Sequence, residues 1–372
     1  VSSGQDRIKT ALRAFAENEA AGVSPLYEHL ASRIAEDDEV AGLLAAAEED
    51  FARPTLLFAA AHRLVIAEPI SELANYYPSV GGSYGVDGVT WPMFREFILA
   101  RAEKMRELIA AHTTQTNEVR RAAAIYPAVA LAAKQARMPV GLLEVGASAG
   151  LLLGMDRYGY RYALPGGEQA SGGPTKATLV LQSTLELADG AAAPALPKKL
   201  PVAGKVGLDR APVDLADEEE LAWLEACIWA DQPDRLRRLG LAAAAQRADP
   251  PELITGDAVG ALPDAAGRFP AGAPLVVLTS HTLCYLNADR RAEFVAALHR
   301  LAEDRPLWWI SQENYRCGLN LLLPDREDLT PSAGDGGRFA VLGMVRWTSG
   351  KADARALART AGHGERIEWL AG

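Results

Sequence analysis

The sequence predicts an α/β protein: a doubly wound, mostly parallel seven-stranded sheet within residues 138–372, preceded by an all-helical segment over residues 1–137. Three observations predict it. Before residue 137, apolar residues recur every three to four positions. After Val140, short β-like runs alternate with helical stretches, as in a parallel sheet with crossover helices. Several of those runs end in Gly, Asp, Glu or His, where an open α/β sheet meets its ligand.

In the helical segment, D-R-I-K-T-A-L-R-A-F-A carries the helical period, and Ser24-Pro25 opens a second helix as cap and first-turn proline. Further helices read over 54–67, 91–111 and 117–137. Between them, N-Y-Y-P-S-V-G-G-S-Y-G-V-D-G at 75–88 is too rich in Gly, Tyr and Ser for a long regular element and reads as a mobile loop. Its Tyr76, Tyr77 and Tyr84 either line a lid or anchor the loop to the core.

Strands read near 141–145, 203–209, 252–256, 274–279, 307–312, 339–347 and 364–370, with helices over 218–230, 235–248 and 289–303. Residues 160–204 carry Gly-Gly pairs and an Ala-Pro run, and read as an insertion with one small extra strand at 178–182. Trp223 and Trp229 share a helical face and read as core.

The first strand end is the most informative. V-G-L-L-E-V-G-A-S-A-G at 140–150 joins a run suited to burial on both faces to a turn in which Gly146 and Gly150 allow close backbone approach and Ser148 keeps the surface small. Glu144 then faces whatever occupies the crevice. Three more strand ends follow in order: K-V-G-L-D at 205–209, L-I-T-G-D-A at 253–258 and P-L-V-V-L-T-S-H-T-L-C-Y-L at 274–286.

Composition excludes several classes. The 372 residues are 49% hydrophobic and 23% charged, enough for a substantial core and against disorder. A formal charge of −10, with only Arg235–Arg238 locally basic, argues against nucleic acid as partner. Cys227, Cys284 and Cys317 are odd in number and form no Cys-x-x-Cys pair, so neither a disulfide framework nor a thiolate metal site is indicated, and a reducing cytoplasm fits. The six histidines include no metal-binding pair, so no metal is expected. The apolar runs are too short to span a bilayer, and the N-terminus lacks an apolar signal core.

In the ordered set of strand ends, residues 140–347 resemble the Rossmann-like class of S-adenosylmethionine-dependent methyltransferases. In that class a glycine loop after the first strand holds the methionine part of S-adenosylmethionine, an acidic residue ending the second holds the ribose, and a Gly-Asp-Ala-like turn after the third meets the adenine. The resemblance assigns Glu144, Gly146, Ser148 and Gly150 to the first role, Asp209 to the second and Asp257 to the third. Ser148 stands where the middle glycine of the usual Gly-x-Gly-x-Gly loop would be, and about sixty residues separate the first two motifs, about twice a typical βαβ unit. More narrowly, T-Q-T-N-E at 114–118, E-V-G-A-S-A-G, D-R-Y-G-Y-R-Y at 156–162 and W-L-E-A-C-I-W at 223–229 resemble the bacterial family called domain of unknown function 2332, which implies a fold and no activity.

Methyl transfer is an in-line displacement, so positioning and removal of the acceptor's proton are what the protein must supply. His281, directly after the fourth strand, is the first candidate for the base, with loop shaping as its alternative. Tyr285 borders the ligand or packs the next helix; Glu313 and Asn314 bind an acceptor amine or hydroxyl or form an exposed turn. Asp209 and Asp257 hold the cofactor or cap local turns. Gln115, Asn117 and Arg121 begin the helix leading into the first strand and are candidates to close over the cofactor carboxylate.

The expected function is therefore methyl transfer from S-adenosylmethionine to an oxygen or nitrogen of a small-molecule acceptor, with the helical segment capping the crevice against water and large substrates. A homodimer is compatible with this reading. One rival is an NAD-type oxidoreductase, which predicts Gly-x-Gly-x-x-Gly where the chain has Gly146, Gly150 and Gly154 at four-residue spacing. A second is a non-catalytic binding protein that keeps the fold, for which the Ser148 departure leaves room.

Overall fold

A computed structural model describes residues 4–331, 339–348 and 350–370. The chain divides into two compact units, one of Val1–Asn117 with Asp214–Gly240 and one of Glu118–Val213 with Leu241–Gly372.

The first unit is built from α1 (Gly4–Phe15), α2 (Pro25–Ile34), α3 (Asp38–Gly42), α4 (Pro54–Ala67), α5 (Thr90–Leu99) and α6 (Ala102–Ala111). Ser24 caps α2 as its sequence predicts, accepting from the Tyr27 amide at 3.1 Å with Pro25 in the first turn. The Ser24 hydroxyl also donates to Asp231 Oδ2 at 2.6 Å, tying the two stretches of this unit together. Helix α4 is apolar nearly all round and runs through the middle of the core, where Phe58 stacks on Tyr27 at 4.4 Å. Its His62 is wholly buried, within hydrogen-bond distance of the Ala226 carbonyl and Ser79 Oγ, and burial lowers its pKa to about 4. The single helix expected over 91–111 is two, α5 and α6, because the backbone breaks at Ala100 and Arg101. The 75–88 loop is anchored: Tyr76 and Tyr77 are buried, and Tyr76 donates to Asp87. Trp223 is core, as its spacing predicts.

The second unit opens with α7 (Arg121–Ala136) and β1 (Val140–Val145), followed by β2 (Gly159–Ala163), β3 (Gln169–Gly172), β4 (Val180–Leu187) and β5 (Val202–Asp209). After α8 (Glu218–Ala226) in the first unit and α9 (Pro233–Ala248), which runs from one unit into the other, come β6 (Glu252–Thr255), α10 (Leu262–Ala266), β7 (Leu275–Ser280), α11 (Ala288–Asp304) and β8 (Leu307–Glu313). Strands β9 (Phe339–Thr348), β10 (Lys351–Ala361) and β11 (Arg366–Trp369) complete one sheet in the order β3-β2-β4-β11-β10-β9-β8-β7-β1-β5-β6.

The expected sheet of seven strands is therefore corrected to eleven among the described residues. The additional strands are β2, β3, β4 and β10. Strand β10, K-A-D-A-R-A-L-A-R-T-A, alternates alanine with charge and has almost none of the β-branched or aromatic residues that mark a strand; its pairing with β9 along its length creates it. Strands β2 to β4 occupy the stretch that reads as an insertion, and the small strand expected at 178–182 is the start of β4. The tyrosines of D-R-Y-G-Y-R-Y anchor this part: Tyr158, Tyr160 and Tyr162 are buried, and each hydroxyl donates to a backbone carbonyl, of Leu151, Met155 and Ala123.

Five consecutive strands, β6-β5-β1-β7-β8, are parallel. The chain leaves β1 toward β5 and β6 and then returns to the opposite side of β1 for β7 and β8, so the strand order reverses between β1 and β7. Helices cover both faces. Trp308 and Trp309, adjacent on β8 and hence on opposite faces, meet α7 through Gln135 and α11 through Phe294. That burial on both faces explains why β1, β7 and β8 read as continuous apolar runs. No described helix is long and apolar enough to cross a membrane.

Candidate functional site

The carboxyl ends of the five parallel strands bring Glu144, Asp209, Asp257, His281 and Glu313 to one edge of the sheet, on both sides of the switch between β1 and β7. The turn after β1 has left-handed backbone at every second residue, with φ of 78° at Gly146, 48° at Ser148 and 67° at Gly150. It is tied to the end of β5: Gly146 donates to the Leu208 carbonyl at 2.8 Å, and the Ser148 amide donates to Asp209 Oδ2 at 2.8 Å. Asp209 Oδ1 accepts from the Ala211 amide at 2.9 Å, so this carboxylate braces two turns at once. Gly146 makes room for a neighbour rather than for open space, since a Cβ there would fall on Thr282.

Glu144 is buried at the end of β1. Burial, reinforced by Asp209, raises its pKa well above the usual carboxylate range, and Arg121 opposes the shift. Its Oε2 is buried with no hydrogen-bond partner. Arg121, in the first turn of α7, is buried and donates through Nε to the Gly362 carbonyl at 3.0 Å. Asn117 falls at the end of the first unit and Arg121 in the second, and α7 starts at Arg121 rather than at residue 117.

His281 takes φ of 53° immediately after β7, a conformation in which His is enriched among non-glycine residues. Its amide donates to the Gln312 carbonyl at 3.0 Å, and its Nε2 is buried without a partner. Burial, then the charges of Arg121 and His363, lower its pKa to about 3. Glu313, wholly buried at the end of β8, accepts on Oε1 from the Thr282 amide at 2.8 Å and the Leu283 amide at 3.0 Å, while Oε2 has no partner. Burial outweighs those two bonds and raises its pKa to about 7. Tyr285 is 73% exposed. Asp257 Oδ1 accepts from the Val259 and Gly260 amides and from Arg290, which lowers its pKa and makes it a turn cap as well as a strand-end acid.

Several contributors are not evident in the sequence. Thr282 lies against Gly146, and Arg291 donates to the Leu283, Cys284 and Arg316 carbonyls, joining the loops after β7 and β8. The turn 361–364 supplies the carbonyl for Arg121; the signal for it was A-G-H-G, a histidine between two glycines, of which Gly364 has φ of 77°. A groove of about 410 Å³ lined by Leu131, Gln135, Leu323, Arg326 and Leu357 contains none of the candidate residues. Among the described residues no group of three or more His, Cys, Asp or Glu is placed to hold a metal ion.

The family model described as an uncharacterized protein conserved in bacteria, domain of unknown function 2332, matches residues 9–369. The chain belongs to this bacterial family. The match covers both units, so helical segment and sheet are parts of one family architecture rather than a separate fusion. No curated protein matches the chain.

Proposed function

We propose that the crevice at the β1/β7 switch binds S-adenosylmethionine and that this chain is a methyltransferase acting on an oxygen or nitrogen of a small-molecule acceptor. One observation carries the reading: a glycine turn and five strand-end residues, Glu144, Asp209, Asp257, His281 and Glu313, lie along the same edge of five adjacent parallel strands, on either side of the point where the strand order reverses. A doubly wound sheet binds ligands at that position. The residues fit the ligand. The unpartnered buried oxygen of Glu144 suits a donor or positive charge, and Asp209, half-buried, keeps lone pairs for a diol beside the two amides it already accepts. When bound, S-adenosylmethionine supplies a methyl group on a positively charged sulfur.

For the acceptor's proton, Glu313 is better suited than His281. A base works best when its pKa lies near the working pH, which describes Glu313 at about 7 and not His281 at about 3. Glu313 also has an oxygen to spare, since only Oε1 is engaged. His281 then orients the acceptor as a neutral imidazole, and Arg121 favours the ionised form of both buried glutamates against the effect of burial.

A non-catalytic binding protein is the second reading. It is favoured by the degree to which Asp209 and Asp257 already serve protein donors. Calorimetric titration with S-adenosylmethionine and its demethylated product tests the proposal. Micromolar binding is expected, weakened about 10- to 100-fold in Asp209→Ala, the loss of charge-assisted bonds to a diol. Asp209→Asn, which keeps an acceptor for the Ser148 amide, separates loss of the diol contact from loss of the turn. A folded sample that gives no heat with either ligand removes the proposal.

A further inference from the structure

The loop after β7 passes directly over the glycine turn. Thr282 sits against Gly146, and two consecutive amides of the same loop, those of Thr282 and Leu283, point at one oxygen of Glu313. The left-handed His281 followed by right-handed Thr282 produces this arrangement: alternation of the two backbone hands turns successive N–H groups toward a common point, forming a concavity for an anion. The anion is supplied by the protein itself, from the end of β8. Arg291 reinforces the junction from α11 through its bonds to carbonyls of both loops, and the Cys284 Sγ donates to the His281 carbonyl at 3.4 Å.

We propose that Glu313 is the latch of the 281–285 loop, holding it down on the glycine turn, so that the charge on this one carboxylate sets how often the crevice opens. The proposal rests on the crevice of the preceding section being the ligand site, and on no particular chemistry within it.

The physical reason is the difference between a charged and a neutral acceptor. An ionised carboxylate makes hydrogen bonds roughly twice as strong as neutral ones, and here two of them close a loop of only a few residues. For an opening that lifts the loop and leaves the carboxyl buried, protonation leaves the same geometry with weaker bonds, so the loop opens more often without the fold being lost. Because Glu313 titrates near neutrality, the change falls within an ordinary pH range. The other titratable or charged groups that bear on Glu313 are Arg121 from α7, Arg291 from α11, Cys284 in the loop itself and Cys317 after β8. Burial keeps both thiols protonated below pH 8, with Cys284 pushed up to about 11, and the arginines remain charged throughout, so Glu313 is the group among these that changes charge between pH 6 and 8.

Hydrogen exchange of the intact chain without added ligand tests this, read at the Thr282 and Leu283 amides and corrected for intrinsic rates. Protection should fall about ten-fold between pH 8 and pH 6. Glu313→Gln keeps a neutral acceptor and should show the low-pH protection of the unsubstituted chain at both pH values; Glu313→Ala, with no acceptor, should be less protected still. Equal protection at pH 6 and 8, a glutamine variant that retains the pH dependence, or an alanine variant as protected as the unsubstituted chain would each overturn the latch. Because no ligand is added, failure here leaves the calorimetric test of the proposed function untouched, and the reverse also holds.

Discussion

Gly146→Ala is expected to lower stability by about 2–4 kcal/mol and to abolish the S-adenosylmethionine binding proposed above. Two costs combine. The φ of 78° at Gly146 is left-handed, and an L-residue there loses about 1 kcal/mol or more. The added Cβ would also fall on the Thr282 Oγ1 and 2.5 Å from its Cγ2, a separation that real structures do not tolerate. Thr282 cannot retreat freely, because its amide is held by Glu313 and the next residue's amide by the same oxygen. Relief must come from lifting the loop or displacing the turn, and either change disturbs the crevice. The urea midpoint, with an unchanged slope, reports the stability loss. Two companions separate the causes. Thr282→Ala removes the two nearest atoms but leaves its Cβ at 2.8 Å, so the double variant should regain part of the loss, with the backbone cost and that remaining contact still to be met. Gly85→Ala, where a Cβ meets open space, should fall within about 0.5 kcal/mol of the unsubstituted chain. A Gly146→Ala protein of ordinary stability and affinity would mean that the loop does not lie on the turn.

The partition between what the sequence disclosed and what it concealed follows from the range of the forces involved. Strands β1, β7 and β8 were legible because burial on both faces writes a local apolar run, whereas β5 and β6, less buried, were legible by their short apolar stretches and the acid or glycine that ends them. Strand β10 was not, because nothing local favours it: its alternating alanines and charges become a strand only when β9 offers a partner. At the site, the glycines at 146 and 150 were visible as turn residues, but the atom that makes Gly146 obligatory belongs to Thr282, more than a hundred residues away. Asp209 was legible as a strand-end acid; its grip on the Ser148 amide depends on the pairing of β1 with β5 and could not be read from either segment. The ranking of His281 above Glu313 as base reflects the same limit. Histidine titrates near neutrality when solvated, and only the surroundings of each side chain in the fold favour the order proposed above.

Glu313→Gln should make the protein more stable at pH 8 and leave it nearly unchanged at pH 4, even as it weakens the loop. The sign follows from where the proton resides. Glu313 has its pKa raised from 4.5 to about 7 in the fold, so between those values the native state holds a proton that the unfolded chain has lost. Its contribution to stability is fully present below pH 4.5 and is lost as the pH rises through about 7, amounting to about 3 kcal/mol for this wholly buried group. Glutamine has the same shape and no charge, so it escapes that loss. Two histidines act in the opposite direction: wholly buried His62 at about 4 and half-buried His281 at about 3 weaken the fold as pH falls below 6.5 through those values. They are common to both proteins and cancel in the difference. Thermal or urea unfolding across pH 4–9 should therefore give a difference curve near zero below pH 4.5, climbing to pH 7 and flat beyond it. A flat difference at all pH values, or a glutamine variant that is weaker at pH 8, would show that the carboxyl is not the buried ionisable group described here. An isosteric change that raises stability while loosening the loop is the mark of a charge retained for function, since a residue kept only for folding would have no reason to ionise in the interior.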